Sequence, residues 1–409
     1  MHKIKITGLL ILISLVSFGQ SKNSELLERY VKGDSTLTDF EIMDLIFEFR
    51  DISKLKENDG LLEEMQKLEK DNLFEEIERK CSIIINKNPL NLTASHYYTI
   101  SLLRLDKKEN LKNSWDKTQM IYSAIKRFGE GADNTPYYIT DLNDAKAMIF
   151  LYWEEGAKFD STNQTGNGLF NYYITNSKGV NEKISFDFNE ATSIREVYFD
   201  YRRDFQYYLS ESSKPESIYN YEMLLKRFQI EDKSIKMNET IAMMIGFTNN
   251  QNYYPYKNAA IEREIMGLVG DKEYKKALKQ SEQLLKTNPF NFTALMEEGF
   301  SLMKIKDDRT YFPSTKSKMV VDAVLWSGAG TYSNPYFVLS PIDGQTIIRN
   351  IFGENIGIMG SGYDLNGYFL DMLDIEKEGR ETITLHFNID HAMNNSEFKK
   401  QIDKTLDKE

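Results

Sequence analysis

The scarcest reactive side chains are four histidines and a single cysteine. His386 and His391 form the closest histidine pair, but a separation of five sends them to opposite faces of a continuing strand, and zinc needs three or four converging ligands. His386 reads as part of a solvated strand face. His96 reads as ordinary packing or surface, and His2 falls in an N-terminal leader. Cys81 shares an apolar helical stripe with Ile77, Ile84 and Ile85, whereas a reactive thiol needs exposure and a basic neighbour. A lone cysteine also excludes an intramolecular disulfide. No nucleophile-elbow pattern surrounds a serine. The stretch Gly353 to Gly362 lacks the Gly-Lys-Ser/Thr of a phosphate loop. Asp371, Asp374, Glu376 and Glu378 cluster in sequence, but nothing sets their pKa values apart as acid and base, and they read as a solvated strand end and turn. No residue is therefore assigned to catalysis, a cofactor or a metal.

Two features remain as a possible binding surface. Tyr253, Tyr254 and Tyr256 flank Pro255, and tyrosines on a rigid turn suit carbohydrate stacking or partner contact. Their structural alternative is to cover the core where the chain enters a helix at Asn258. Gly357, Gly360 and Gly362 read as a loop between strands that could line a ligand site.

The elements that must position these residues occur twice. Ile85-Asn86-Lys87-Asn88-Pro89-Leu90-Asn91-Leu92-Thr93-Ala94 lies beside Leu285-Lys286-Thr287-Asn288-Pro289-Phe290-Asn291-Phe292-Thr293-Ala294, about 200 residues on. Gly129, Gly131, Pro136 and Tyr137 match Gly328, Gly330, Pro335 and Tyr336, and Asp144 matches Asp343. Ile184 to Asn189 runs beside Ile383 to Asn388, so that Asp187 stands where the second copy has His386. Collinear matches over this length mark a tandem duplication. Each copy has a helical first half and a strand-rich second half, an α+β unit used twice. The expected organisation is a signal peptide over 1–19, a first copy over 20–209, a polar linker over 210–217 and a second copy over 218–409.

Within each copy, an apolar stripe at helical spacing stops at Asn-Pro and resumes, which predicts a helical hairpin. Further helices are expected near 113–128 and 313–327. A small, mainly antiparallel sheet of about four strands follows, clearest where Ile383, Leu385, Phe387 and Ile389 alternate with polar residues. The hairpin from Gly270 to Pro289 resembles the tetratricopeptide repeat, although the repeat interval is about 200 and not 34, which excludes a stacked solenoid.

On Arg29 to Thr38, Tyr253 to Tyr256, the Gly270 to Pro289 hairpin and Pro335 to Leu339, the chain resembles an exported Bacteroidota family, the domain of unknown function 4919. The first copy departs from the pattern with Ile52-Ser53-Lys54-Leu55-Lys56 in place of the tyrosine-proline segment. The second departs with Ile230 to Ser234 where the first has Lys32-Gly33-Asp34. The resemblance implies a compartment and a bacterial group, and carries over no catalytic residue.

Lys3 and Lys5 precede an apolar run from Ile6 to Val16 and the small residues Ser17 and Gly19, the pattern of a cleavable signal peptide with cleavage expected after Gly19. That run is too short to span a bilayer. No later segment reads as a span. The formal charge of −11, or −13 after Lys3 and Lys5 are lost, opposes attraction to nucleic acid. These features predict an exported periplasmic or extracellular protein, a non-enzymatic binding or scaffold protein with a protein or glycan partner. The alternative is a hydrolase of unrecognised type with its site near the glycine-rich segment of the second copy. Because the tyrosine-proline and glycine-rich segments belong to the second copy alone, that copy is expected to carry the ligand. The first has the charged Lys54 to Glu57 and a polar loop over Thr162 to Thr165 instead.

Overall fold

In both copies the sequence Asn-Pro-x-Asn-x-Thr-Ala builds the same corner. The backbone of Asn88 is extended, as a residue before proline must be, and its side-chain oxygen accepts from the Leu90 amide at 3.0 Å. Asn91 then caps the next helix by accepting from the Ala94 amide at 2.7 Å. Asn288 and Asn291 repeat both contacts, at 3.3 Å to Phe290 and 2.8 Å to Ala294.

The computed structural model describes residues 24–51, 58, 60–133, 135–153, 157–165, 168–187, 191, 193–309, 314–376 and 382–395. The expected signal peptide and the segment Lys54 to Glu57 lie outside them. Among the described residues no helix is long and apolar enough to cross a membrane.

The chain divides into two compact units, residues 1–194 and 195–409. In the first, helices α1 (Ser24–Lys32), α2 (Asp39–Phe49) and α3 (Leu61–Lys70) precede the hairpin α4 (Phe74–Lys87) and α5 (Leu92–Arg104), followed by α6 (Lys108–Phe128). Strand β1 (Tyr137–Tyr138) and helix α7 (Leu142–Ala147), which runs on as a π-helix over Met148–Trp153, lead to β2 (Lys158–Gln164), β3 (Leu169–Thr175) and β4 (Asn181–Asp187). Thr162 to Gln164 thus belong to an edge strand and not to a loop. The sheet order is β1-β4-β3-β2, with β1 parallel to β4 and the other two pairs antiparallel. Leu61, Leu62, Met65, Ile77, Cys81, Ala94 and Tyr97 form the core under the hairpin.

The second unit opens with an additional helix, α8 (Tyr201–Ser212), and then repeats the order. Its helices are α9 (Tyr221–Gln229), α10 (Met237–Phe247), α11 (Pro255–Gly270), α12 (Tyr274–Leu285), α13 (Phe292–Ile305) and α14 (Thr315–Trp326). Strand β5 (Tyr336–Phe337), helix α15 (Pro341–Asn350) and strands β6 (Asn355–Tyr363), β7 (Phe369–Glu376) and β8 (Ile383–Asn388) follow, and α16 (Asp390–Met393) closes the unit. The sheet order β5-β8-β7-β6 reproduces that of the first unit. The α+β reading, two tandem units each with helices before a four-stranded sheet, matches this architecture.

The division falls 15 residues before the boundary drawn from the sequence. The expected linker begins with Ser210, Glu211 and Ser212, which are the last turn of α8. Phe199, Tyr201, Phe205 and Tyr208 are buried in one cluster with Ile241, Met244, Phe247 and Phe337 of the second unit. A polar run without periodicity resembles a linker, but here the apolar residues just upstream of it fix the segment to the core.

Gly129 and Gly328 recur for a steric reason. A Cβ on Gly129 would sit 2.5 Å from the Pro136 carbonyl oxygen, and one on Gly328 would meet the Pro335 carbonyl oxygen, so the chain can cross itself there only without a side chain.

Candidate functional site

The structure separates the six residues expected to form a binding surface. Tyr253 is buried, donates its hydroxyl to the Leu339 carbonyl at 2.7 Å and packs on Phe247 and His391. It is a core residue, set at the end of a turn that its amide closes on the Asn250 carbonyl at 3.0 Å. Tyr256 is half-buried against the same core. Tyr254 lines a cleft of about 430 Å³ with Asn252, Lys257, Ile261 and Gln280, and Lys257 lies over its ring at 5.1 Å. Gly357, Gly360 and Gly362 are not in a loop: they lie on the edge strand β6, paired with β7 through Gly360 to Met372 and Gly362 to Leu370. Ile358, Met359 and Tyr363 on the same strand are exposed, and the pairing with β7 shifts register at a bulge between Ile356 and Met359. Asp371 lies in mid-strand and not at a strand end, and burial pushes its carboxyl up to about 7.

Cys81 is buried beside Met65, with its thiol pushed up to about 12 by desolvation. The strand stops at Asn388, so His391 turns into the core on α16 among Tyr201, Phe205, Tyr253 and Phe337. Desolvation holds its pKa down at about 3. His96 accepts or donates through Nδ1 to the Tyr152 hydroxyl at 2.8 Å, and burial lowers it to about 4. Among the described residues no three His, Cys, Asp or Glu side chains are grouped to hold a metal.

Three constellations were not read from the sequence. First, each unit buries a carboxylate pair behind its hairpin corner. In the first, Asp144 accepts from the Thr93 amide at 2.9 Å and from the Thr140 hydroxyl at 2.8 Å, while Asp141 accepts from Asn91. In the second, Glu262 accepts from Asn291 at 2.8 Å, and Asp343 accepts from the Leu339 and Ser340 amides at 3.0 and 2.8 Å. Burial, and then the charge of the pair partner, lifts Asp144 and Glu262 to about 8.

Second, one guanidinium clamp is present in both units. Arg29 donates to Asp34 at 2.8 Å, Glu41 at 2.9 Å and Thr36 at 3.2 Å. Arg227 donates to Asp232 at 2.8 Å, Glu239 at 3.0 Å and Ser234 at 3.1 Å. The turn between the two helices is fixed in each case. Its left-handed residue is Gly33 in one unit and Glu231 in the other. The segment Ile230 to Ser234, a departure in sequence, is therefore the same structure. Arg-x4-Asp-x-Ser/Thr-x4-Glu, repeated 198 residues apart, was the available signal.

Third, a half-open groove of about 760 Å³ lies in the second unit between that turn and α14. Ile235, Met237, Met319 and Trp326 give it an apolar floor, and Lys233, Lys236 and Lys318 stand at its rim. Lys236 pairs with Glu196 at 2.6 Å and Lys318 with Asp322 at 2.8 Å. At the corresponding positions the first unit has Ser35, Thr38, Gln119 and, for Trp326, Arg127. The cavity described in the first unit, about 680 Å³, lies elsewhere, between α3, α7 and the β2–β3 edge.

Residues 19–165 and 211–397 match the family model described as a domain of unknown function, DUF4919. No curated protein and no solved structure matches the chain. Each match falls on one copy of the duplicated fold, and the two together cover well over half of the sequence; the chain belongs to the DUF4919 family and carries its domain twice.

Proposed function

We propose that this chain is an exported, non-enzymatic binding protein whose second unit makes the contact with a protein or glycan partner, the first unit serving as support. The observation that carries this reading is the groove beside Trp326. It combines an aromatic ring, two methionines and three lysines in an open depression of a size that small-ligand and recognition sites share. Residues 353–367 line none of the three cavities described, so no observation favours a hydrolytic site there.

Export rests on the basic and then apolar residues before Gly19, and fits a periplasmic or extracellular protein of the Bacteroidota. In this reading the acidic chain neither binds nucleic acid nor spans a membrane once the leader is removed. In this reading the hairpin α12–α13, whose sequence resembles the tetratricopeptide repeat, serves as a scaffold within one domain.

The test uses the purified full chain on a glycan array and in cross-linking capture from cell-envelope extract, beside Trp326→Ala. Specific capture lost in the variant is the expected result. Failure of the wild type in both formats, or capture indifferent to Trp326→Ala, would overturn the reading.

A further inference from the structure

We infer that the Trp326 groove binds an anionic amphiphile, an apolar chain with a carboxylate or phosphate head, whether free or borne by a larger partner. This rests on the binding reading above and names the chemistry that the groove selects.

The floor supplies half of the recognition. Met237 and Met319 are unbranched and polarizable, so they mould to a flexible aliphatic chain, and the Trp326 and Ile235 side chains extend that surface. Met237 is 46% exposed, an apolar cost in water that a bound chain would remove.

The rim supplies the other half. Lys233 and Lys236 come from the turn before α10 and Lys318 from α14, so cations stand on two walls of one depression in a chain of net charge −11. Lysine stems lie along apolar surface while their ammonium groups reach a compact head. Glu196 and Asp322 already engage two of the three, which leaves the groove with a single positive charge in excess. That balance favours a monoanionic or dianionic head over a cation.

The rim is also held in place. Lys233 sits between Asp232 and Ser234, and both side chains are locked to Arg227. The Lys236 amide donates to the Glu239 carboxylate at 2.7 Å, and Glu239 in turn receives Arg227. The first unit is an internal control, because the same clamp there presents Ser35 and Thr38. One scaffold has been kept in both copies, and at the two groove positions the second displays Lys233 and Lys236 where the first has Ser35 and Thr38.

Isothermal titration of the full chain with laurate and with dodecyl phosphate, each below its micelle concentration, tests the inference. Dodecyltrimethylammonium and butyrate serve as controls for charge and chain. Saturable one-site binding of at least one anionic amphiphile is expected, with no comparable binding of either control. The triple variant K233S/K236T/K318Q installs the residues of the first unit and should weaken binding at least tenfold with an unchanged melting curve. Laurate against dodecyl phosphate identifies the preferred head. Absence of saturable binding of both, equal binding of the trimethylammonium compound, or wild-type affinity in the triple variant would overturn the inference. A chain that captures a glycan or envelope partner yet gives no heat with either amphiphile loses this inference alone; one that does neither loses the binding reading as well.

Discussion

Asn291 donates its side-chain amide to the buried carboxylate of Glu262 at 2.8 Å, and Asn91, its counterpart in the first unit, donates to the carboxylate of Asp141. The acceptors come from different elements. Asp141 is the N-cap of α7, where the second unit has Ser340, whereas Glu262 lies on α11, where the first unit has Leu62. The second carboxylate of the pair, Asp144 or Asp343, stays in place. Duplication has thus kept two acids behind the hairpin corner while moving one of them, as a requirement for satisfying the corner's donors would produce.

Neutralising a member of each pair should therefore flatten the pH dependence of stability. Glu262 and Asp144 ionise at about 8 when folded, above their ordinary range, so the folded state binds more protons. Their favourable contribution is complete in acid and is lost as pH rises towards and through 8. Glu262→Gln keeps an acceptor for Asn291 and cannot ionise. Urea melts at pH 6 and pH 9 should show the variant gaining on the wild type at the higher pH, by on the order of 1–3 kcal/mol. A gap independent of pH would show that the carboxyl does not titrate there.

His391 works in the opposite direction. Its ring is buried among Tyr201, Phe205, Tyr253 and Phe337 and held at about 3, below the value in an unfolded chain. Folding keeps it neutral, so its contribution is present above pH 6.5 and is lost as pH falls towards 3. His391→Phe should raise stability at pH 5 relative to the wild type by about 2 kcal/mol, at 1.36 kcal/mol per pKa unit. Equal acid sensitivity of the two chains in thermal melts at pH 5 and pH 7 would contradict this.

The two arginine clamps should respond alike in structure and differently in binding. Arg227→Ala frees the turn that carries Lys233 and Lys236, so ordering these side chains on binding costs more, about 0.5–1.5 kcal/mol each. Laurate affinity should fall about five- to 150-fold. Arg29→Ala removes the same contacts from a turn bearing Ser35 and Thr38, and laurate affinity should not change. Calorimetry on both variants reads the difference, and an equal loss would separate the clamp from the groove.

The duplication, the hairpins and the strand order were legible because each is written in local chemistry: Asn-Pro stops, capping Asn and a two-residue alternation in Ile383 to Ile389. The groove was not, since Lys233, Lys236 and Lys318 lie on two segments some eighty residues apart and share no spacing until α10 packs beside α14. Tyr253 follows the alternative of covering the core and not that of a contact surface, because exposure cannot be read from residue type: a tyrosine whose hydroxyl finds a buried carbonyl is a core residue. The glycines of β6 misled because Gly-rich sequence suggests a loop, whereas here they lie on a bulged strand at an open sheet edge, a setting in which glycine is common.

The second unit begins at Arg195, ahead of α8. Phe199, Tyr201, Phe205 and Tyr208 precede the sequence-derived start at 218, yet they are buried against α10, β5 and α16 of the second unit. Removing one buried aromatic side chain costs about 3–5 kcal/mol. The loss of four would exceed or match the whole stability of an ordinary domain, about 5–15 kcal/mol. The deletion would also uncover the ring of His391, which Tyr201 and Phe205 cover. A fragment of residues 195–409 should therefore melt in one cooperative transition with near-ultraviolet circular dichroism of a packed core. A fragment of residues 218–409 should lack that signal, bind a hydrophobic dye and aggregate. Cooperative melting of the shorter fragment at the temperature of the longer one would show that α8 is dispensable and that the unit begins after it.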